Sequence, residues 1–262
     1  MEMLRATVNA VELAYERHGH GTPMLLIHGH PLDHAIWDAV IPLLQDEFDL
    51  IIPDLRGFGQ SETVQTPYSL TDMAADLAAL LDFLGIRQVE LAGHSMGGYI
   101  ALAFARAYPG RVLGLGLVAS QVFADPVERK PARYQTAADI ESQGILLLAD
   151  SFPAKLSTIP TLQILLREII LRQSVRGAAA SLRAIAERED SSMLLAEAGF
   201  PVVIIHGSED ALIPLERARE AKALAGKAQL VEIEGAGHMP MLENPEATVK
   251  ELLKLAKKGP GH

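Results

Sequence analysis

From Pro23 onward, short apolar runs of strand type alternate with longer stretches whose apolar positions recur at helical spacing. Such alternation predicts a mainly parallel sheet covered by helices. Met24–His28, Leu50–Pro53, Val89–Ala92, Val112–Val118, Val202–His206 and Gln229–Ile233 read as buried strands. Ala6–Val8 and Glu12–Glu16, either side of Asn9-Ala10, read as an opening hairpin. Met73, Leu77, Leu80, Leu81 and Leu84 predict one amphipathic helix, with Asp72 and Asp76 near its positive end and Gly85 stopping it.

The alternation breaks between about Gln121 and Gly199. That stretch holds Arg/Lys/Glu clusters, Ala-rich runs and apolar patches, with no clear strand. It predicts a helical insertion, 121–199, in a core made of residues 1–120 and 200–262. The alternative is ordinary covering helices of the same domain. An insertion above the carboxyl ends of the strands would act as a lid, because open α/β sheets bind ligands at that edge. Ile145–Leu148, Phe152, Leu162 and Ile164–Leu166 would supply an apolar ceiling, or else join the helices to the sheet. There is no internal repeat and no low-complexity tract.

Composition narrows the function classes. Of 262 residues, 49% are hydrophobic and 21% charged, which excludes disorder as the main state. The formal net charge is −10 and aromatic residues make up 5%, which argues against nucleic-acid and anionic-membrane surfaces. The absence of cysteine excludes disulfides, thiolate metal sites and a cysteine nucleophile, and fits a reducing compartment. The opening residues do not resemble a signal peptide, and no apolar run reaches the ~18 residues of a membrane span. The expectation is a soluble, cytoplasmic protein. Its oligomeric state is not readable.

The chemistry gathers at Gly93-His94-Ser95-Met96-Gly97-Gly98, between a buried strand and a helix-compatible run. This is G-x-S-x-G in strand–turn–helix context. A nucleophile on so sharp a turn leaves no room for side chains beside it, hence Gly93 and Gly97. The turn lifts the Ser95 hydroxyl clear and aims the Met96 N–H at the reacting oxygen. A serine needs a base. His238, in the glycine loop Gly235-Ala236-Gly237-His238, is the candidate. The imidazole needs a carboxylate partner in turn, and Asp210 follows the strand Val202–His206. Glu209 and Asp125 are the competing acids.

The order Ser95, Asp210, His238 and the successive landmarks around it resemble the α/β-hydrolase fold superfamily, in its serine-nucleophile esterase and lactonase-like branch. The other landmarks are Leu25-Leu26-Ile27-His28-Gly29-His30-Pro31, Asp54-Leu55-Arg56-Gly57-Phe58-Gly59-Gln60-Ser61 and Tyr108-Pro109-Gly110-Arg111-Val112. The resemblance implies an α/β-hydrolase fold: a mostly parallel eight-stranded sheet flanked by helices, with a small helical cap at 121–199. It implies that the His30 N–H joins that of Met96 in an oxyanion hole. No metal and no organic cofactor is expected, and the substrate is a small, largely apolar ester or lactone. Ser95 argues against the dehalogenase and epoxide hydrolase branches, which carry Asp at this position. Enol-lactonase, carbon–carbon bond hydrolase and cofactor-free perhydrolase activities stay open, as does a non-catalytic ligand-binding role.

Some residues carry other readings. His28-Gly29-His30-Pro31-Leu32-Asp33-His34 is superficially like a zinc motif, but Asp33 and His34 each sit one residue late. His28 and His94 are expected to be structural, and Asp54 and Arg56 to organise their loop. Arg129-Lys130 and Arg133 either attract an acidic substrate or form a solvated helix face.

Overall fold

The computed structural model describes residues 3–256. One eight-stranded sheet runs in the order β1-β2-β4-β3-β5-β6-β7-β8. The strands are β1 (Leu4–Val8), β2 (Val11–Gly19), β3 (Thr22–Ile27), β4 (Phe48–Pro53), β5 (Val89–His94), β6 (Val112–Val118), β7 (Val202–Gly207) and β8 (Gln229–Ile233). Strands β3 to β8 are parallel to one another, whereas β2 is antiparallel to both β1 and β4. Each predicted strand is present, with ends moved by three residues at most. The hairpin turns through Asn9 and Ala10 at φ of 50° and 61°, the two positive values a tight hairpin turn requires.

Twelve helices are present among the described residues: α1 (Ile41–Leu44), α2 (Leu70–Phe83), α3 (Met96–Ala107), α4 (Lys130–Gln143), α5 (Leu146–Ser151), α6 (Pro153–Leu156), α7 (Pro160–Leu171), α8 (Val175–Ala186), α9 (Ser192–Ala196), α10 (Leu215–Leu224), α11 (Pro240–Glu243) and α12 (Pro245–Ala256). Successive residues of a strand point to opposite faces. Leu25 and Ile27 therefore join a core with Leu77 and Leu80 of α2 and Ile100 and Phe104 of α3. Met24 and Leu26 join the opposite core, with Leu44 of α1 and Val249 and Leu252 of α12.

The predicted amphipathic helix is α2. Ser69 and Asp72 form a reciprocal cap at its start, and Gly85 follows its end at φ 72°. Asp76 departs from expectation. It is buried and accepts two bonds from Arg56, at 2.5 and 2.6 Å. Its role is to hold the loop after β4, not to complement the helix end.

Between β6 and β7 lie helices α4 to α9 and, among the described residues, no strand. The α7–α8 connection is fastened to the loops that leave the carboxyl ends of β3 and β4. Asp33 accepts from Arg172 at 2.6 and 2.8 Å and from Gln173 at 2.7 Å. Gln173 in turn accepts from the Gly59 N–H at 2.8 Å. Gly57 and Gly177 bring two backbones into direct contact: a Cβ on Gly177 would lie 1.9 Å from the Gly57 carbonyl oxygen.

Candidate active site

Only Ser95 separates the end of β5 from the start of α3. Its φ of 51° and ψ of −113° lie where a side chain costs about 1–3 kcal/mol of backbone strain. The surroundings impose that conformation. Ser95 donates its N–H to the Val118 carbonyl at 2.9 Å, and its own carbonyl accepts from the Ser120 hydroxyl at 2.8 Å. The flanking glycines are sterically required. A Cβ on Gly97 would stand 2.2 Å from the Ile27 carbonyl oxygen, and one on Gly93 2.3 Å from the Gly97 backbone.

His238 lies on the loop between β8 and α11, and Asp210 on the loop after β7. The two meet, with His238 Nδ1 2.7 Å from Asp210 Oδ2. A carboxylate can only accept here, so the proton sits on Nδ1 and Nε2 is left to the cavity. The other carboxylate oxygen, Oδ1, accepts from the N–H groups of Leu212 and Ile213 at 2.8 and 2.9 Å. Burial by itself would raise the Asp210 pKa. The His238 imidazole and the Ile213 N–H outweigh it and hold the group below the usual carboxylate range.

The histidine's backbone is pinned from two sides. Its N–H donates to the Leu156 carbonyl of α6 at 3.0 Å. Its carbonyl accepts from Nε2 of His94 at 2.9 Å, and the two rings lie edge to face at 4.9 Å. Burial, helped by His238, keeps the His94 pKa well below the ordinary value, so His94 is a neutral spacer. His28 is also bound to backbone, at Gly29 and Leu55. His94 is structural, as expected, although the backbone group it binds belongs to distant His238. Ser120 and Leu156 as props of the site are not anticipated by motif. The available signal for Ser120 is a hydroxyl two residues beyond the end of the strand next to β5.

Neither the His30 N–H nor the Met96 N–H has a hydrogen-bond partner among the described residues, although both residues are buried. Buried N–H groups rarely stay unpaired, and these two are open to an oxygen from outside the chain. They belong to neighbouring parts of the sheet edge, since Ile27 of β3 pairs with Gly93 of β5. The His30 imidazole bonds the Ser181 hydroxyl of α8 at 2.8 Å. Burial, with Arg133 nearby, lowers its pKa to about 3.

Ser95, His238 and His30 line one cavity of about 430 Å³. No direct hydrogen bond joins Ser95 to His238 among the described residues, a contact that in such sites often tightens only with substrate bound. Leu147, Leu148, Phe152, Leu182, Ile185, Leu212 and Ile213 supply its apolar wall. The expected ceiling is thus smaller than the sequence implies. Ile164 and Leu165 face solvent, Leu166 is buried in the core, and Ile145 and Leu162 pack against it. The amphipathic face of α7 turns its apolar stripe inward, away from the cavity.

Asp125 is not beside His238. It is buried between Arg133 and Arg188, the latter 2.8 Å away. The zinc-like motif does not assemble either. Asp33 and His34 instead gather with Asp54. Asp33 is taken by Arg172 and Gln173, and Asp54 by His34 and the Gln60 N–H. His28 and His30 take no part in that cluster.

A parallel sheet whose central strand runs into a strained serine turn, with a histidine and a carboxylate paired at the same edge, defines a class of α/β hydrolases. The family described as alpha/beta hydrolase fold matches residues 22–245, and the chain belongs to it. A thermophilic esterase from Thermogutta terrifontis, solved with malate bound, is 35% identical with a TM-score of 0.93, over 98% of this chain and 99% of that one. The AB hydrolase superfamily protein YisY of Bacillus subtilis is 30% identical over 92% of this chain and 93% of the relative. The dihydrolipoyllysine-residue acetyltransferase component of the acetoin cleaving system of Pseudomonas putida is 30% identical over 91% of this chain. This chain spans 64% of that protein's length. No helix among the described residues is long and apolar enough to cross a membrane.

Proposed function

We propose that the protein is a serine hydrolase of small carboxylic esters that works through an acyl-enzyme. The observation that carries this reading is the 2.7 Å pairing of His238 with Asp210 in the cavity that also holds the strained Ser95. His238 Nε2 takes the Ser95 hydroxyl proton as Oγ attacks the ester carbonyl carbon. The resulting oxyanion is held by the N–H groups of His30 and Met96, in surroundings where such donors typically contribute ~10²–10³ in rate. His238 passes its proton to the leaving alcohol as the C–O bond breaks. Water then enters, loses a proton to His238 and releases the acid, which restores Ser95. Asp210 stabilises the imidazolium throughout and is not itself protonated. Residues 121–199 act as a cap, with Leu147, Leu148 and Phe152 against the substrate. The Thermogutta terrifontis relative is described as an esterase, which supports the same reaction class here.

The test is hydrolysis of p-nitrophenyl butyrate together with labelling by a fluorophosphonate. The native chain should turn over the ester and take one label at Ser95. Ser95→Ala should stay folded, lose at least ~10³-fold in kcat and take no label. Unlabelled native protein without turnover would point to a binding role, and near-native turnover by the variant would refute the serine mechanism.

A further inference from the structure

The wall of the cavity carries a charge pattern that a neutral ester does not need. Arg129, Arg133 and Lys155 all line it, against a single carboxylate, Asp139, among the described lining residues. This is a local excess of positive charge in a chain whose formal net charge is −10. Arg129 and Arg133 come from just before and within the first turn of α4, and Lys155 comes from α6. Arg129 and Lys155 make no ion pair or side-chain hydrogen bond with the described residues, whereas their neighbour Lys130 is paired with Glu187 at 2.8 Å. Arg133 is held differently. Its guanidinium is anchored on buried Asp125, which also faces Arg188, so one carboxylate serves two cations. One positive charge therefore stays uncompensated behind the wall, and it is close enough to His30 to help lower that imidazole's pKa. The apolar residues and Ser95 share the same space, so a ligand can meet both.

We propose that the preferred substrates are esters bearing a carboxylate at the end remote from the scissile bond, which Arg129, Lys155 and Arg133 receive. This rests on the hydrolase reading and names its substrate class. Arg129 and Lys155 are exposed residues of the cavity lining and Arg133 is partly buried. Exposed pairs contribute little singly, but a charge-assisted bond in a partly dry wall contributes more. The sum corresponds to a preference of about tenfold.

The experiment compares mono-p-nitrophenyl adipate with p-nitrophenyl hexanoate, which has the same chain length and no carboxylate, at low ionic strength. The native chain should show kcat/KM about tenfold higher for the adipate hemiester, with the ratio falling as salt is added. In Arg129→Gln/Lys155→Gln the ratio should fall to within about twofold of one. Lys227→Gln, an exposed cation on the loop before β8, should keep it. Equal turnover of the two esters by the native chain, or a ratio the double variant leaves intact, would overturn the proposal. Calorimetry with adipate separates this from the hydrolase reading. If neither ester is cleaved but adipate binds, and the double variant loses that binding, the anion site stands and the hydrolase reading falls. If adipate does not bind either, both fall.

Discussion

Asp210 decides which nitrogen of His238 faces the cavity. Its Oδ2 can only accept, so the ring must donate from Nδ1. Asp210→Asn keeps the shape and keeps an oxygen for the Leu212 and Ile213 N–H groups, so the loop stays in place. The amide nitrogen then faces His238, and the ring presents a protonated Nε2 to Ser95. The expected result is a folded protein with kcat on p-nitrophenyl butyrate reduced roughly 10⁴-fold and KM little changed. Near-native kcat would move the acid elsewhere. At this scale the sequence was informative wherever function demands an unusual local pattern. Gly93 and Gly97 are legible because no other residue fits beside Ile27 and the helix start. Ser120 as a prop was not, because its bond crosses 25 residues and any hydroxyl of suitable reach would serve. His94 was legible as structural, but its partner, the His238 carbonyl 144 residues away, was not.

Strands and helices were legible to the extent that burial on both faces, or on one face, leaves a periodic trace. All eight strands follow from that trace, as does α2. The helices between β6 and β7 show where periodicity is silent: it reveals that α7 has an apolar stripe, not which neighbour the stripe meets. Hence Ile164, 63% exposed, looked like a ceiling residue. Asp76 misled for a related reason, since sequence position puts it near the helix start but not beside Arg56. How the helices between β6 and β7 are fastened was equally hidden. Gly57 and Gly177 are 120 positions apart and gain meaning only by touching. Gly177→Ala would place its Cβ 1.9 Å from a backbone oxygen that has no side-chain freedom to retreat. The expected cost is about 2 kcal/mol, a fall of roughly 5 °C in Tm, measured by scanning calorimetry. Displacing α8 also disturbs the His30–Ser181 bond, so KM should rise. An unchanged Tm would mean that α8 is free to shift, and that the α7–α8 connection is held by Asp33 and Gln173 rather than by this contact.

The stability of the whole molecule is set by carboxylates that pull in opposite directions with pH. Asp33, Asp125 and Asp210 are buried, which would raise their pKa values, but their partners hold them below the usual range. Their contribution is present above the unfolded carboxylate pKa and is lost as the pH falls through the folded values. Glu90 acts the other way. It sits in the central strand β5 at 1% exposure, against Gly114, and Oε2 has no partner among the described residues. Burial pushes its pKa up to about 7 from 4.5. Between those two values the folded protein binds more protons than the unfolded chain, so stability falls as pH rises. The contribution is complete below 4.5 and is lost on passing 7, a loss of about 3 kcal/mol. Maximum stability should therefore lie on the mildly acid side of neutrality, where the aspartates are ionised and Glu90 is not. Glu90→Gln removes the titration at nearly constant volume. Measured as the Tm difference from the native chain, the variant should gain at pH 8 and gain little or nothing at pH 5. The residual penalty of an unpaired buried amide acts equally at both pH values and so cancels from the comparison. An equal difference at pH 5 and pH 8 would mean that Glu90 ionises normally, and that water or a partner reaches Oε2 beneath α12.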